Sequence, residues 1–292
     1  MIISIASGKG GTGKTTIATN LALSLGNVQL LDCDVEEPDS HLFLDLKLEK
    51  VEDVCINMPV INKEICDFCG DCAKFCQYNA LAVVSSDVLF FPELCHGCGG
   101  STLVCPKNAI KEEPRVIGVI EGGTTENSSA KKVSDISIKG NIQFYHGLLN
   151  VGEPMAIPVI KSLKQRIDQK MDAILDAPPG TSCPVIETIQ DTDYCILVTE
   201  PTPFGLHDLK LAVDVVRGMK IPFGVIINRD GIGDERVERY CHKEGIPILM
   251  KITQSEKIAR LYSKGIPFVT QIPEWKEKFL SLHKDLKREV NQ

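Results

Sequence analysis

The sequence has no uninterrupted apolar run long enough to cross a bilayer, a crossing helix needing about 20 such residues. Its opening, Met1-Ile2-Ile3-Ser4, carries no basic n-region and no small-residue cleavage site ahead of the first strand pattern, so a cytoplasmic protein is expected. Positive charge is not in excess: 32 Lys and Arg stand against 39 Asp and Glu, a net charge of −7. Non-specific binding to nucleic acid needs clustered cations facing phosphates, so nucleic acid is not an expected partner. Internal repeats and low-complexity tracts are not evident. Cysteine, by contrast, is abundant, with seven of the 12 falling between Cys66 and Cys105. At 292 residues the chain can bury one large α/β domain, alone or carrying a small insertion.

The chain is organised around Gly8-Lys9-Gly10-Gly11-Thr12-Gly13-Lys14-Thr15, directly behind the apolar run Met1 to Ala6 and ahead of a helical pattern from Thr16 to Leu23. Strand, glycine-rich loop and helix are the context that a G-x-x-x-x-G-K-[ST] phosphate loop requires. The glycines let backbone N–H groups converge on phosphate oxygens while the helix points its positive end at them. Gly8 through Thr16 are therefore candidate nucleotide-binding residues, with Lys14 reaching the β- and γ-phosphates and the Thr15 hydroxyl ligating magnesium. A glycine-rich turn with no ligand is the plainer alternative.

Lys9 is a second lysine that an ordinary phosphate loop does not need. Lys-Gly-Gly-Thr-Gly-Lys-Thr resembles the deviant Walker A motif of the MinD/ParA/Mrp and nitrogenase iron protein class of ATPases. The resemblance implies ATP and magnesium as ligands, and a homodimer in which Lys9 crosses to the partner's nucleotide. It implies a doubly wound, mainly parallel α/β sheet with the nucleotide at the carboxyl edge.

Val28 to Leu31 reads as a buried strand that delivers Asp32-Cys33-Asp34 to that edge. In the resembling family Asp34 would align the attacking water and Asp32 would lie near magnesium; a helix cap or turn is the alternative. Met171 to Asp176 reads as another such strand, followed by Ala177-Pro178-Pro179-Gly180, like the family's D-x-P-x-G switch, with Asp176 supporting the magnesium shell. The loops from Thr199-Glu200 and from Asn228 resemble its base-binding edge, with Asn228 pairing with adenine and Glu200 in the nucleotide site. A turn-forming Asn competes. Between these landmarks, Val116–Glu121, Ile142–Tyr145, Tyr194–Val198 and Pro222–Ile227 read as strands, 122–132 as a loop and 158–170 as a helix.

From about residue 61 the texture changes. Cys66-x-x-Cys69-x-x-Cys72-x-x-x-Cys76 matches the bacterial ferredoxin run, and a second run carries Cys95, Cys98 and Cys105-Pro106 beyond a hairpin-like spacer. Ferredoxin logic assigns Cys66, Cys69, Cys72 and Cys105 to a first 4Fe-4S cluster. Cys76, Cys95 and Cys98 fall to a second, whose fourth position holds Ser101 and so leaves a labile corner. A zinc site is the competing metal reading. His96 reads as solvated or as an outer neighbour of the cluster. Cys33, Cys55, Cys195 and Cys241 read as core, and Cys183 as a buried helix-start thiol or an intersubunit ligand. The tail from Glu274 places Trp275, Phe279, Leu282, Leu286 and Val290 on one helical face, suited to docking on the core more than to a membrane.

The expected organisation is an ATPase domain of 1–60 and 114–292 with a ferredoxin-like insertion at 61–113. The resemblance implies an ATP-hydrolysing iron–sulfur protein that assembles or delivers such cofactors to an apo metalloprotein. An ATP-gated electron-transfer protein with a redox-partner protein is the alternative, and a membrane-cycling positioning ATPase the third.

Overall fold

A computed structural model describes residues 1–44, 46–125 and 140–291. Among the described residues nine strands form one sheet in the order β11-β10-β9-β1-β8-β2-β7-β6-β3. Its centre is β1 (Ile2–Ala6), flanked by β8 (Ala173–Asp176) and β9 (Tyr194–Thr199), with β2 (Val28–Asp32) beyond β8. β10 (Phe223–Asp230) and β11 (Ile248–Thr253) extend one side, and all strands from β11 to β7 (Ile142–Leu149) run parallel. Among the described strands of this sheet β6 (Ile110–Thr124) alone is reversed, pairing antiparallel with β7 and with the edge strand β3 (Glu49–Ile61). The sheet is therefore mixed but mostly parallel.

The central strands alternate strictly between two buried faces, as pleating requires of a strand covered on both sides. Ile3, Ile5, Leu30, Ile174 and Ile196 face α1 (Lys14–Leu25) and α9 (Pro273–Val290). On the other face Leu31 and Leu175 meet α4 (Ala156–Lys164). Leu197 and Ile227 meet α5 (Cys183–Ile189), α6 (Pro203–Gly218) and α7 (Arg236–Lys243). The tail does dock: Trp275, Phe279, Leu282 and Leu286 are buried, and His283 and Lys287 reach Asp172 at 3.0 and 2.8 Å. Among the described residues no helix is long and apolar enough to cross a membrane.

Four local expectations need correction. The helix expected over 158–170 is Ala156–Lys164; beyond it the chain turns so that the Arg166 carbonyl and Asp168 N–H engage Gln29 at 3.0 and 2.6 Å. The expected loop at 122–132 begins in strand, since Gly122 to Thr124 pair with β7, and its part from 126 lies outside the described residues. Cys55 is exposed rather than core, because β3 is an edge strand with only one covered face. Cys183 is exposed at the start of α5 rather than buried.

β3 and β6 pair from Glu49↔Gly122 outward to Ile61↔Ile110. They form an arm whose inner half belongs to the sheet and whose outer end carries the cysteine-rich segment. That segment folds as α2 (Asp71–Phe75), a hairpin of β4 (Leu81–Val84) and β5 (Asp87–Phe90), and α3 (Gly100–Val104). A small apolar centre of Leu81, Val88 and Ile110 with Cys72 holds it together.

Candidate functional site

The phosphate loop leaves β1 and enters α1 through Gly13, whose φ of 94° is left-handed and open only to glycine without strain. A Cβ there would also collide with the amide nitrogen of Asn228. At Gly8 a Cβ would collide with the Asp208 carbonyl, so the loop's first glycine lets α6 pack against it. Lys14 is 8 % exposed and points into the site. Lys9 lies at the rim, its Nζ 3.7 Å from Glu200, which also receives Arg229 at 2.7 Å. The structure thus sets Glu200 against two cations, and leaves it outside the lining of the cleft that runs past the loop.

That cleft brings together Gly10, Gly11 and Gly13 to Thr16 of the loop with Asp34, Pro179 and Asn228. Asn228 donates from Nδ2 to the Thr12 carbonyl at 2.8 Å, and its Oδ1 accepts from the Arg229 N–H at 3.0 Å. In this state its amide is engaged in shaping the loop. Sequence reading missed the opposite wall, formed by Ile252, Gln254, Ser255, Ile258 and Tyr262 between β11 and α8 (Glu256–Tyr262). Nothing in that stretch is a motif; only the parallel order of β9, β10 and β11 brings it to the carboxyl edge.

Behind Thr15 stand three carboxylates, Asp32, Asp39 and Asp176, each with an oxygen within 4.8 Å of the others. Asp32 is fully buried and accepts N–H donors from Asp34, Asp39 and Ser40 at 3.1, 3.0 and 2.9 Å. Asp176 takes the Ser40 hydroxyl at 3.1 Å, while its Oδ1 is buried without a partner. Burial, then mutual repulsion, pushes Asp32 well above the usual carboxylate range. Burial likewise raises Asp176, with Lys14 and the Thr15 hydroxyl pulling it back. Three crowded acids and an orphaned oxygen suit a divalent cation, which would ionise them. Asp39 was not found in the sequence because it follows a turn with no recognisable spacing. Asp34, half-buried beside Lys14, is raised to about 6 chiefly by burial.

The cysteine-rich segment holds two small cavities. Cys66, Cys69, Cys72 and Cys105 line the first. Cys76, Cys95, Cys98 and Ser101 line the second, at whose edge Cys72 also lies. Backbone N–H groups of Ala80, Gly97 and Ala109 point at the sulfurs of Cys76, Cys95 and Cys105 at 3.3, 3.5 and 3.2 Å. N–H groups aimed at cysteine sulfurs are the outer support that a ligated iron–sulfur group needs, so both donor sets fit one.

The segment is internally repeated, which the sequence reading did not detect. Cys66, Cys69 and Cys76 recur 29 positions on as Cys95, Cys98 and Cys105. The left-handed residues Phe68, Gly70 and Asn79 recur at the same offset as Gly97, Gly99 and Asn108. α2 recurs as α3. Ser101 consequently occupies the place of Cys72. The halves differ in setting: Cys95 and Phe90 pack against the core cluster that includes Val54, Ile56 and Met58 of the arm, and the Gly97 turn lies on Ile56 and Asn57. The second cavity lies further in along the arm, against Asn57, Pro59 and Glu112, than the first, which lies against Ile61 and Ile110. His96 stacks on Tyr78, ring centres 3.6 Å apart, at the mouth of the second.

A phosphate loop on the central strand of a mostly parallel sheet, with aspartates at the ends of neighbouring strands, defines a P-loop nucleotide-binding protein. The family model of the CobQ/CobB/MinD/ParA nucleotide binding domain matches residues 3–268, and the chain belongs to that family. An iron-sulfur cluster carrier protein of Pyrococcus furiosus is 25 % identical, the match covering 91 % of this chain and 78 % of that one. A cytosolic Fe-S cluster assembly factor NUBP2 homolog of Dictyostelium discoideum is 26 % identical over 93 % and 87 % of the two chains. The septum site-determining protein MinD of Pyrococcus horikoshii, solved with Mg-ADP, has the same fold: TM-score 0.55 and 22 % identity, over 98 % of this chain and 95 % of that one.

Proposed function

We propose that this protein is a magnesium-dependent ATPase that carries iron–sulfur clusters on its inserted segment, 61–113, and hands one of them to an acceptor under nucleotide control. The observation that carries the reading is the grouping of the cysteines around two cavities on an arm of the nucleotide-binding sheet, Cys66, Cys69 and Cys105 at the first, Cys76, Cys95 and Cys98 at the second, and Cys72 at both. Relatives named as iron–sulfur carrier and assembly proteins support it. When bound, the clusters would supply transferable iron and sulfide. Cys66, Cys69, Cys72 and Cys105 would hold the first 4Fe-4S cluster; Cys76, Cys95 and Cys98 would hold the second, with one corner outside thiolate ligation.

In the cleft, Lys14 and the loop N–H groups would bind the triphosphate. Thr15, with Asp32 and Asp176 behind it, would hold magnesium, and Asp34 would orient the attacking water. Lys9, at the rim, is free to leave Glu200 and reach a second copy's nucleotide in a homodimer. Asn228 would have to release the Thr12 carbonyl or offer Oδ1 to contact a base.

ATP-gated electron transfer is the second reading, favoured by one observation: Cys72 lines both cavities, so the two sites adjoin as in two-cluster electron carriers. The test is anaerobic purification with iron and sulfide counts, followed by mixing with an apo-acceptor and with a redox partner, each with and without MgATP. ATP-stimulated iron hand-over supports the carrier; electron turnover with iron retained supports the second reading; failure to bind iron contradicts both.

A further inference from the structure

The cavities differ in kind at one corner. Cys72 and Val83 line the first; at the same offset of 29 residues, Ser101 and Glu112 line the second. Between them Ala73 is answered by Thr102. A thiol and an apolar wall have been exchanged for oxygen groups. Glu112 sits on β6 opposite Pro59 of β3, and its Oε1 accepts from the Thr102 hydroxyl at 3.4 Å, one residue from Ser101. The same oxygen lies 3.1 Å from where a Cβ on Gly99 would stand. Glycine at 99, already required by its φ of +74°, leaves room for the carboxylate at the foot of the Cys98–Ser101 turn.

We propose that the Glu112 carboxylate, rather than the Ser101 hydroxyl, is the fourth iron ligand at this second site. The inference rests on the two-cluster reading above. A carboxylate is already an anion at neutral pH, whereas a serine hydroxyl must give up a tightly held proton before it can bind iron as an alkoxide. Oxygen ligands hold iron of this kind less well than thiolates do, so one iron of this cluster is exchangeable, while the four-thiolate cluster beside it is not.

The full chain is reconstituted anaerobically as wild type, Glu112→Gln, Ser101→Ala and the double variant Ser101→Cys with Glu112→Val. Iron and sulfide are counted, EPR and Mössbauer spectra recorded, and iron loss to a chelator timed. Glu112→Gln keeps an acceptor for Thr102, and the first cluster in the same molecule reports that the segment has folded. The expected result is that Glu112→Gln converts the second cluster to a three-iron form or speeds loss of one iron by roughly tenfold. Ser101→Ala should match wild type, and the double variant should hold two equivalent clusters. Loss with Ser101→Ala but not Glu112→Gln, or no change with either, overturns the inference and leaves the two-cluster reading standing. Absence of the second cluster from every protein, with the first intact, overturns both this inference and the second-site assignment.

Discussion

The two halves of the cysteine-rich segment share a backbone and differ in what they offer a metal. The first closes its cavity with four sulfurs and an apolar wall, on the outer end of the arm. The second has Ser101 at the place of Cys72, adds Glu112, and rests through Cys95 on the covered face of the arm. On the reading proposed above, one backbone used twice would yield a site that retains its occupant and a site that exchanges it.

The largest expected effect removes the nucleotide side of the contrast. Lys14→Ala should reduce MgATP hydrolysis by about a hundredfold or more and abolish any ATP effect on the second cluster, with both clusters still assembled; a steady-state phosphate assay and iron counts check this. Lys9→Ala should leave mononucleotide binding nearly intact while removing ATP-induced dimerisation, read by light scattering. Next, Cys105→Ser should eliminate the first cluster and spare most of the second, whereas Cys95→Ser should do the reverse, as iron counts and EPR would report. Equal losses from both variants would mean that the cavities do not partition the thiolates as the geometry indicates.

A smaller effect is expected from pH. Asp34 is raised from 3.8 to about 6 by burial, so the folded, nucleotide-free protein holds its proton more tightly than the unfolded chain does. That contribution to stability is fully present below about pH 4 and lost as pH rises through about 6. Thermal unfolding without nucleotide should therefore show a fall in Tm across that window that Asp34→Asn flattens. Hydrolysis should rise across the same window as the carboxylate ionises. Asp34→Ala should accumulate an ATP-bound dimer, since the loop that holds the phosphates is untouched.

Much of this was legible in the sequence where chemistry imposes fixed local spacing. The phosphate loop, the aspartates closing β2 and β8, and the sorting of seven cysteines all follow from short-range constraints, as do the central strands. What escaped notice depends on three-dimensional juxtaposition. Asp39 reaches Asp32 and Asp176 only because the chain folds back after β2. The wall from Ile252 to Tyr262 meets the loop only through strand order. The repeat is carried by left-handed turns and by hydrogen bonds to sulfur as much as by the recurring cysteines, so Val83 and Glu112 look like counterparts only once the turns are aligned at the 29-residue offset. Cys55 misled because an apolar neighbourhood in sequence does not say that β3 lies at a sheet edge.

The most direct test of nucleotide-coupled delivery follows Mössbauer spectra of the reconstituted protein during hand-over to an apo-acceptor, with and without MgATP. The signal of the cluster held by Cys76, Cys95 and Cys98 should decline several-fold faster with MgATP, that of the four-thiolate cluster should persist, and Lys14→Ala should erase the difference. Equal decline of both clusters, or a decline indifferent to MgATP in the wild type, would contradict it.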